Sequence, residues 1–123
     1  KGSDLSALVT YFERATKSIQ APRNDDADER RGCLITNTVI ELGRSDKDIA
    51  EIIDRYFTRV ERAFCELIKR GQKNGSIRAD LDPKATARWL FITAQGMSVS
   101  ARFGRSFSGL PEIVRAALAP ASA

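Results

Sequence analysis

The sequence predicts an all-α fold of about five helices in an antiparallel bundle, and three observations carry that prediction. Five segments repeat apolar residues with the 3.6-residue period of a helix, and none alternates with the period of two that marks a half-buried strand. Asp, Ser, Pro and Gly stand where helix ends call for them. The length of 123 residues, 42% hydrophobic and 29% charged, suits one globular domain spanning 1–123 and leaves no room for two independent cores.

Taken in order, the first helix is expected over about Asp4–Ile19, with Leu5, Leu8, Val9, Phe12, Ala15 and Ile19 on one face and Ser3 or Asp4 as its N-cap. Residues 21–29 are polar and acidic, contain Pro22, and read as a loop. The second helix runs from about Arg30 to Leu42 and stops at Gly43. The third is the clearest. Ser45 caps it, and Asp46 and Asp48 fall in a first turn where the helix dipole favours negative charge. Its stripe is Ile49, Ile52, Ile53, Tyr56, Phe57, Val60, Ala63, Phe64, Leu67 and Ile68, with Arg55, Arg59, Glu61 and Arg62 left for solvent. Asn74-Gly75 ends it. Asp82-Pro83 opens the fourth, which continues to about Phe103, and the last starts near Ser108 with Pro111 in its first turn.

The fourth helix carries two apolar seams. Trp89, Ile92, Gly96, Val99 and Phe103 form one; Leu90, Ala94, Met97 and Ala101 form the other. At about 100° per residue they point roughly 150° apart. A small domain covers one such seam with its own chain, so the second, beside Leu110, Ile113, Val114 and Ala117 of the last helix, is read as a homodimer face. Two such helix pairs would form an intermolecular four-helix bundle with two-fold symmetry. The competing arrangement is a monomer with this helix at its centre. Gly96 lies on the outward seam; a glycine inside a helix costs ~1 kcal/mol, and close approach of another helix offsets it.

Composition excludes much chemistry. With no histidine there is no Ser-His-Asp or Cys-His nucleophile and no His-ligated metal. Cys33 and Cys65 make neither a zinc site nor a C-x-x-C motif, and without a signal peptide they read as reduced cytoplasmic thiols. The acidic run Asp25, Asp26, Asp28 and Glu29 lacks the spacing and glycine of an EF-hand and reads as a solvated loop. No catalytic group, metal or cofactor is therefore expected, and no stretch is long enough to span a membrane. The net charge of +4 is too small an excess to indicate nucleic-acid binding by this chain.

Three stretches resemble a known family. The run Arg31-Gly32-Cys33-Leu34-Ile35-Thr36-Asn37-Thr38-Val39-Ile40-Glu41-Leu42 is similar to the "GCL…NT…EL" helix of tetracycline-repressor-like (TetR family) regulators. Leu67-Ile68-Lys69-Arg70-Gly71 through Gly75-Ser76-Ile77-Arg78 resembles the end of their following helix. Asp80-Leu81-Asp82-Pro83, then Ala87-Arg88-Trp89-Leu90 and Gln95-Gly96-Met97, resembles the helix after that. Together these cover about Arg30–Leu118 in the family's order. The resemblance implies a C-terminal effector-binding and dimerisation domain. The family's N-terminal helix-turn-helix domain has no counterpart here, so operator DNA is expected to be met only through a domain outside this sequence.

By that resemblance an effector would sit among the first four helices, and the wall and polar residues offered for it are Phe12, Cys33, Asn37, Tyr56, Phe57, Val60, Phe64, Trp89 and Thr93. For the aromatic and aliphatic residues, core packing is the competing role. For Asn37 it is a bond to a neighbouring backbone group, and for Cys33, near cations in a helix's first turn, it is packing as a small apolar residue. The function expected is the ligand-sensing, dimerising half of a bacterial transcriptional repressor. The alternative is a small all-α protein–protein interaction module that binds no small molecule.

Overall fold

Helix α1, Asp4–Gln20, begins where Ser3 Oγ accepts the Ser6 N–H at 3.0 Å, which settles its cap on Ser3. The computed structural model describes residues 3–20, 46–105 and 108–121; the predicted helix over Arg30–Leu42, with Cys33, Thr36 and Asn37, lies outside the described residues. Three further helices follow: α2 (Lys47–Asn74), α3 (Pro83–Arg102) and α4 (Leu110–Leu118). Among the described residues there is no strand.

Each boundary has a local cause. At α2 the cap is Asp46 rather than the expected Ser45: its carboxylate accepts from the N–H groups of Asp48 (3.0 Å) and Ile49 (3.1 Å), a charge placed on the positive end of the dipole. At α3 the Asp82 carboxylate accepts from Ala85 N–H at 2.9 Å, and Pro83 supplies a first turn that needs no N–H. This helix stops at Arg102, and Gly104 turns the chain with φ +73°. α4 starts at Leu110, later than the expected Ser108, with Gly109 as its cap and Pro111 in the opening turn.

The helices pack around one core, with α1 and α3 each starting at the end of α2. α2 lies chiefly on α3, and α1 lies across α4 and α2 with a lesser contact to α3. Leu8, Val9 and Phe12 of α1 meet Phe64 and Ile68 of α2, Leu90 and Phe91 of α3, and Val114 and Leu118 of α4. Two edge-on aromatic contacts tighten it: Tyr11 with Phe64 at 5.5 Å, and Phe57 with Phe91 at 4.8 Å.

The turn between α2 and α3 is built by hydrogen bonds. Gly75, at φ +87°, lets the chain leave α2, and the Gly71 carbonyl accepts from Ser76 N (2.9 Å) and Ile77 N (3.0 Å). The Gln72 amide donates to the carbonyls of Arg78 (3.1 Å) and Leu81 (2.8 Å), and Arg78 N–H reaches the Leu118 carbonyl at 2.9 Å, tying the end of α4 to this turn.

The start of α1 is clamped to the end of α2. Asp4 accepts from Arg70 Nε (2.9 Å) on one oxygen and from Asn74 Nδ2 (2.7 Å) on the other. The Arg70 hydrogen bond, joined by that of Asn74 and by the guanidinium charge, holds the Asp4 carboxyl below its ordinary value of 3.8, against the opposing effect of burial. A lowered folded pKa contributes stability above the ordinary carboxylate range, and that contribution is lost as pH falls through the folded value. The stability gap between the parent chain and Asp4→Asn, measured by urea unfolding, should therefore narrow between about pH 6 and about pH 2.5. A gap that stays constant over that range would show that the clamp acts through hydrogen-bond shape rather than charge.

Candidate functional site

α3 decides what this fold can bind, because its two seams face different media. Leu90 and Ala101 are buried, with Ala94 and Met97 half-buried against the core. The other seam stands out of the chain: Trp89 is 40% exposed, Ile92 58% and Phe103 78%. Gly96 lies between them, and a Cβ built there would meet no atom within 4 Å. On α4, Ile113 is 48% exposed and Ala117 is half-buried, while Leu110 and Val114 turn into the chain's own core. Of the residues offered for a partner, then, Trp89, Ile92, Gly96, Phe103 and Ile113 present open surface and Val99 and Ala117 part of theirs. Leu110 and Val114 are spent on intrachain packing, because α4 is amphipathic and α1 covers that side.

The residues offered as an effector pocket do not share one environment. Phe12 and Phe64 are buried core, and Tyr56, Phe57 and Val60 are partly buried around it. Trp89 points outward on the exposed seam, and the Thr93 hydroxyl donates to the Trp89 carbonyl of its own helix at 2.7 Å. Cys33 and Asn37 lie outside the described residues.

A groove of about 700 Å³ opens elsewhere, between the polar side of α2 and the first turns of α3. Glu61, Arg62, Cys65 and Lys69 line one wall, and Lys84 and Arg88 line the other. Arg88 pairs with Glu61 across it at 3.4 Å. Sequence reasoning passed over these residues because Glu61 and Arg62 fall on the stripe of α2 that reads as solvated, and Lys84 and Arg88 lie outside the two apolar seams of α3. The signal present was cationic pairing at helical spacing, Arg62 with Lys69 and Lys84 with Arg88, on two consecutive helices. Among the described residues no group of three acidic or cysteine side chains is placed to hold a metal ion, and no helix is long and apolar enough to cross a membrane.

Comparison with known proteins agrees with this architecture. The family described as the tetracyclin repressor-like C-terminal domain matches residues 5–118. The chain is 30% identical over 108 residues to the HTH-type transcriptional repressor ComR of Escherichia coli (strain K12), covering 88% of this chain and 49% of that protein. It is 32% identical over 84 residues to the HTH-type transcriptional repressor DhaR of Mycobacterium sp. (strain GP1), covering 68% of this chain and 42% of that protein. The chain thus spans about half the length of the curated relatives it matches. No solved structure matches it significantly. The match of the family model from Leu5 to Leu118, on a chain whose described residues form only helices, places the chain in the family of tetracyclin repressor-like C-terminal domains.

Proposed function

We propose that this chain is the ligand-sensing and dimerising half of a cytoplasmic transcriptional repressor, whose DNA-reading heads belong to an N-terminal helix-turn-helix domain outside this sequence. The observation that carries the proposal is the outward seam of α3. Trp89, Ile92 and Phe103 leave large apolar surface exposed on one helical stripe, Ile113 of α4 is exposed as well, and an exposed apolar patch of this kind marks an interaction surface. Open space over Gly96 leaves room for a second helix at close range. Two copies related by a two-fold axis would set these stripes against each other as a four-helix bundle. The named relatives are both transcriptional repressors, which supports the regulatory reading.

In this mechanism a small molecule bound between the helices favours one arrangement of the dimer over another. That changes the spacing of the two DNA-reading heads and weakens operator binding. Tyr56, Phe57 and Val60, at the rim of the core, and Asn37 and Cys33 remain the residues offered for that molecule, with Phe12 and Phe64 behind them as packing.

Sedimentation equilibrium of the chain tests the dimer, with a mass of twice 13.6 kDa expected. Replacing Ile92 by Glu places a charge at the centre of the seam and should weaken association by about a hundredfold or more. A clean monomer across micromolar concentrations would remove the support that the exposed seam gives. Native mass spectrometry of the same sample reads the effector: a small-molecule mass carried by the dimer and lost on activation is the expected sign of a sensor.

A further inference from the structure

We infer that the groove between α2 and α3 binds a small organic anion with a short apolar body, at a site distinct from the aromatic interior. Its volume of about 700 Å³ falls in the range of small-molecule pockets. Two features set its chemistry. The floor is apolar: Cys65 and Ala87 are buried, at 8% and 1% exposure, and the exposed Ala85 adds a methyl group to the lining. The rim is cationic. Among the described residues lining the groove, Arg62, Lys69, Lys84 and Arg88 face two carboxylates, Glu61 and Glu66. Glu61 is engaged by Arg88, and among the described residues no ion pair holds Arg62, Lys69 or Lys84.

Positive charge over an apolar floor suits a carboxylate or phosphate group carried on hydrocarbon. A neutral molecule of the same shape gains only the floor, and inorganic phosphate gains only the rim. The start of α3 adds nothing to this, since the Asp82 carboxylate already takes the Ala85 N–H. The anion is therefore held by side chains, and its binding weakens with salt as exposed charge pairs do. Nothing in this site depends on dimerisation or on DNA binding by a longer protein, so it stands or falls separately from the repressor mechanism.

Cys65 on the groove floor provides the readout. The chain is alkylated with iodoacetamide in the presence of octanoate, octanamide or inorganic phosphate, and the Cys65 peptide is separated from the Cys33 peptide by mass. Octanoate is expected to protect Cys65 at concentrations about tenfold or more below those of octanamide or phosphate, the preference shrinking in high salt. The triple variant R62E/K69E/K84E alters only exposed side chains and should abolish the preference while keeping the parent melting temperature. The single variant Lys84→Gln should reduce it in part. The same ligands are compared by line broadening of their own NMR signals, which needs no reactive thiol. Equal effects of octanoate and octanamide in both measurements, or a preference that survives the triple variant, would overturn the site.

Discussion

Phe12→Ala is expected to lower the unfolding free energy by about 3–5 kcal/mol, the cost of removing a buried aromatic ring and leaving a cavity behind. The ring is fully buried, its centroid lies 5.1 Å from that of Tyr11, and its cluster draws on all four helices, so no single element can shift to refill the space. A domain of this size has about 5–15 kcal/mol of stability in total, so the variant should lose much of it and melt roughly 10 °C or more below the parent. Chemical unfolding measures the loss directly, and Phe12→Leu should cost much less because it keeps most of the volume. A near-neutral Phe12→Ala would mean that the ring borders an open cavity, and would return Phe12 to the effector wall. A large loss makes it structural, and reduced ligand response in that variant then reports the fold rather than a contact.

Gly71→Ala should destabilise the chain by about 1–3 kcal/mol, although alanine is the better helix former by ~1 kcal/mol. Gly71 is buried in the last turns of α2, and a Cβ there would stand 2.5 Å from Ile77 Cδ1 and 2.7 Å from Cγ1. Ile77 is itself 1% exposed, packed in the core behind a turn pinned by the Gly71 carbonyl and the Gln72 amide, so it has nowhere to swing. Pairing Gly71→Ala with Ile77→Val tests the cause. The double variant should lose less than the sum of the two single variants, because the smaller side chain leaves room for the new methyl. Strict additivity in urea unfolding would show that the contact is not what makes glycine necessary.

Much of the helical architecture is readable in the sequence. α1, α2 and α3 begin and end within a residue or two of the expected positions, because Ser3, Asp82-Pro83 and Asn74-Gly75 act locally through the backbone groups of the next turn. Even the shift from Ser45 to Asp46 at the start of α2 stays within the same local chemistry. The two seams of α3 were readable as well, since helical periodicity fixes which residues share a face.

The sequence by itself thus determined that the chain is helical, where its helices turn, and that α3 has one apolar face too many for a small domain. Periodicity does not say which seam faces inward. Tertiary structure decided that Leu90 and Ala101 meet the core while Trp89, Ile92 and Phe103 face out, and that Leu110 and Val114 are spent inside the chain. It alone set Ile77 against Gly71, six residues apart across a turn, and brought Arg62 and Lys69 of α2 opposite Lys84 of α3 around a common groove. The physical reason is the same in each case. Capping and periodicity are properties of one segment, whereas burial and cavities depend on how close two segments come.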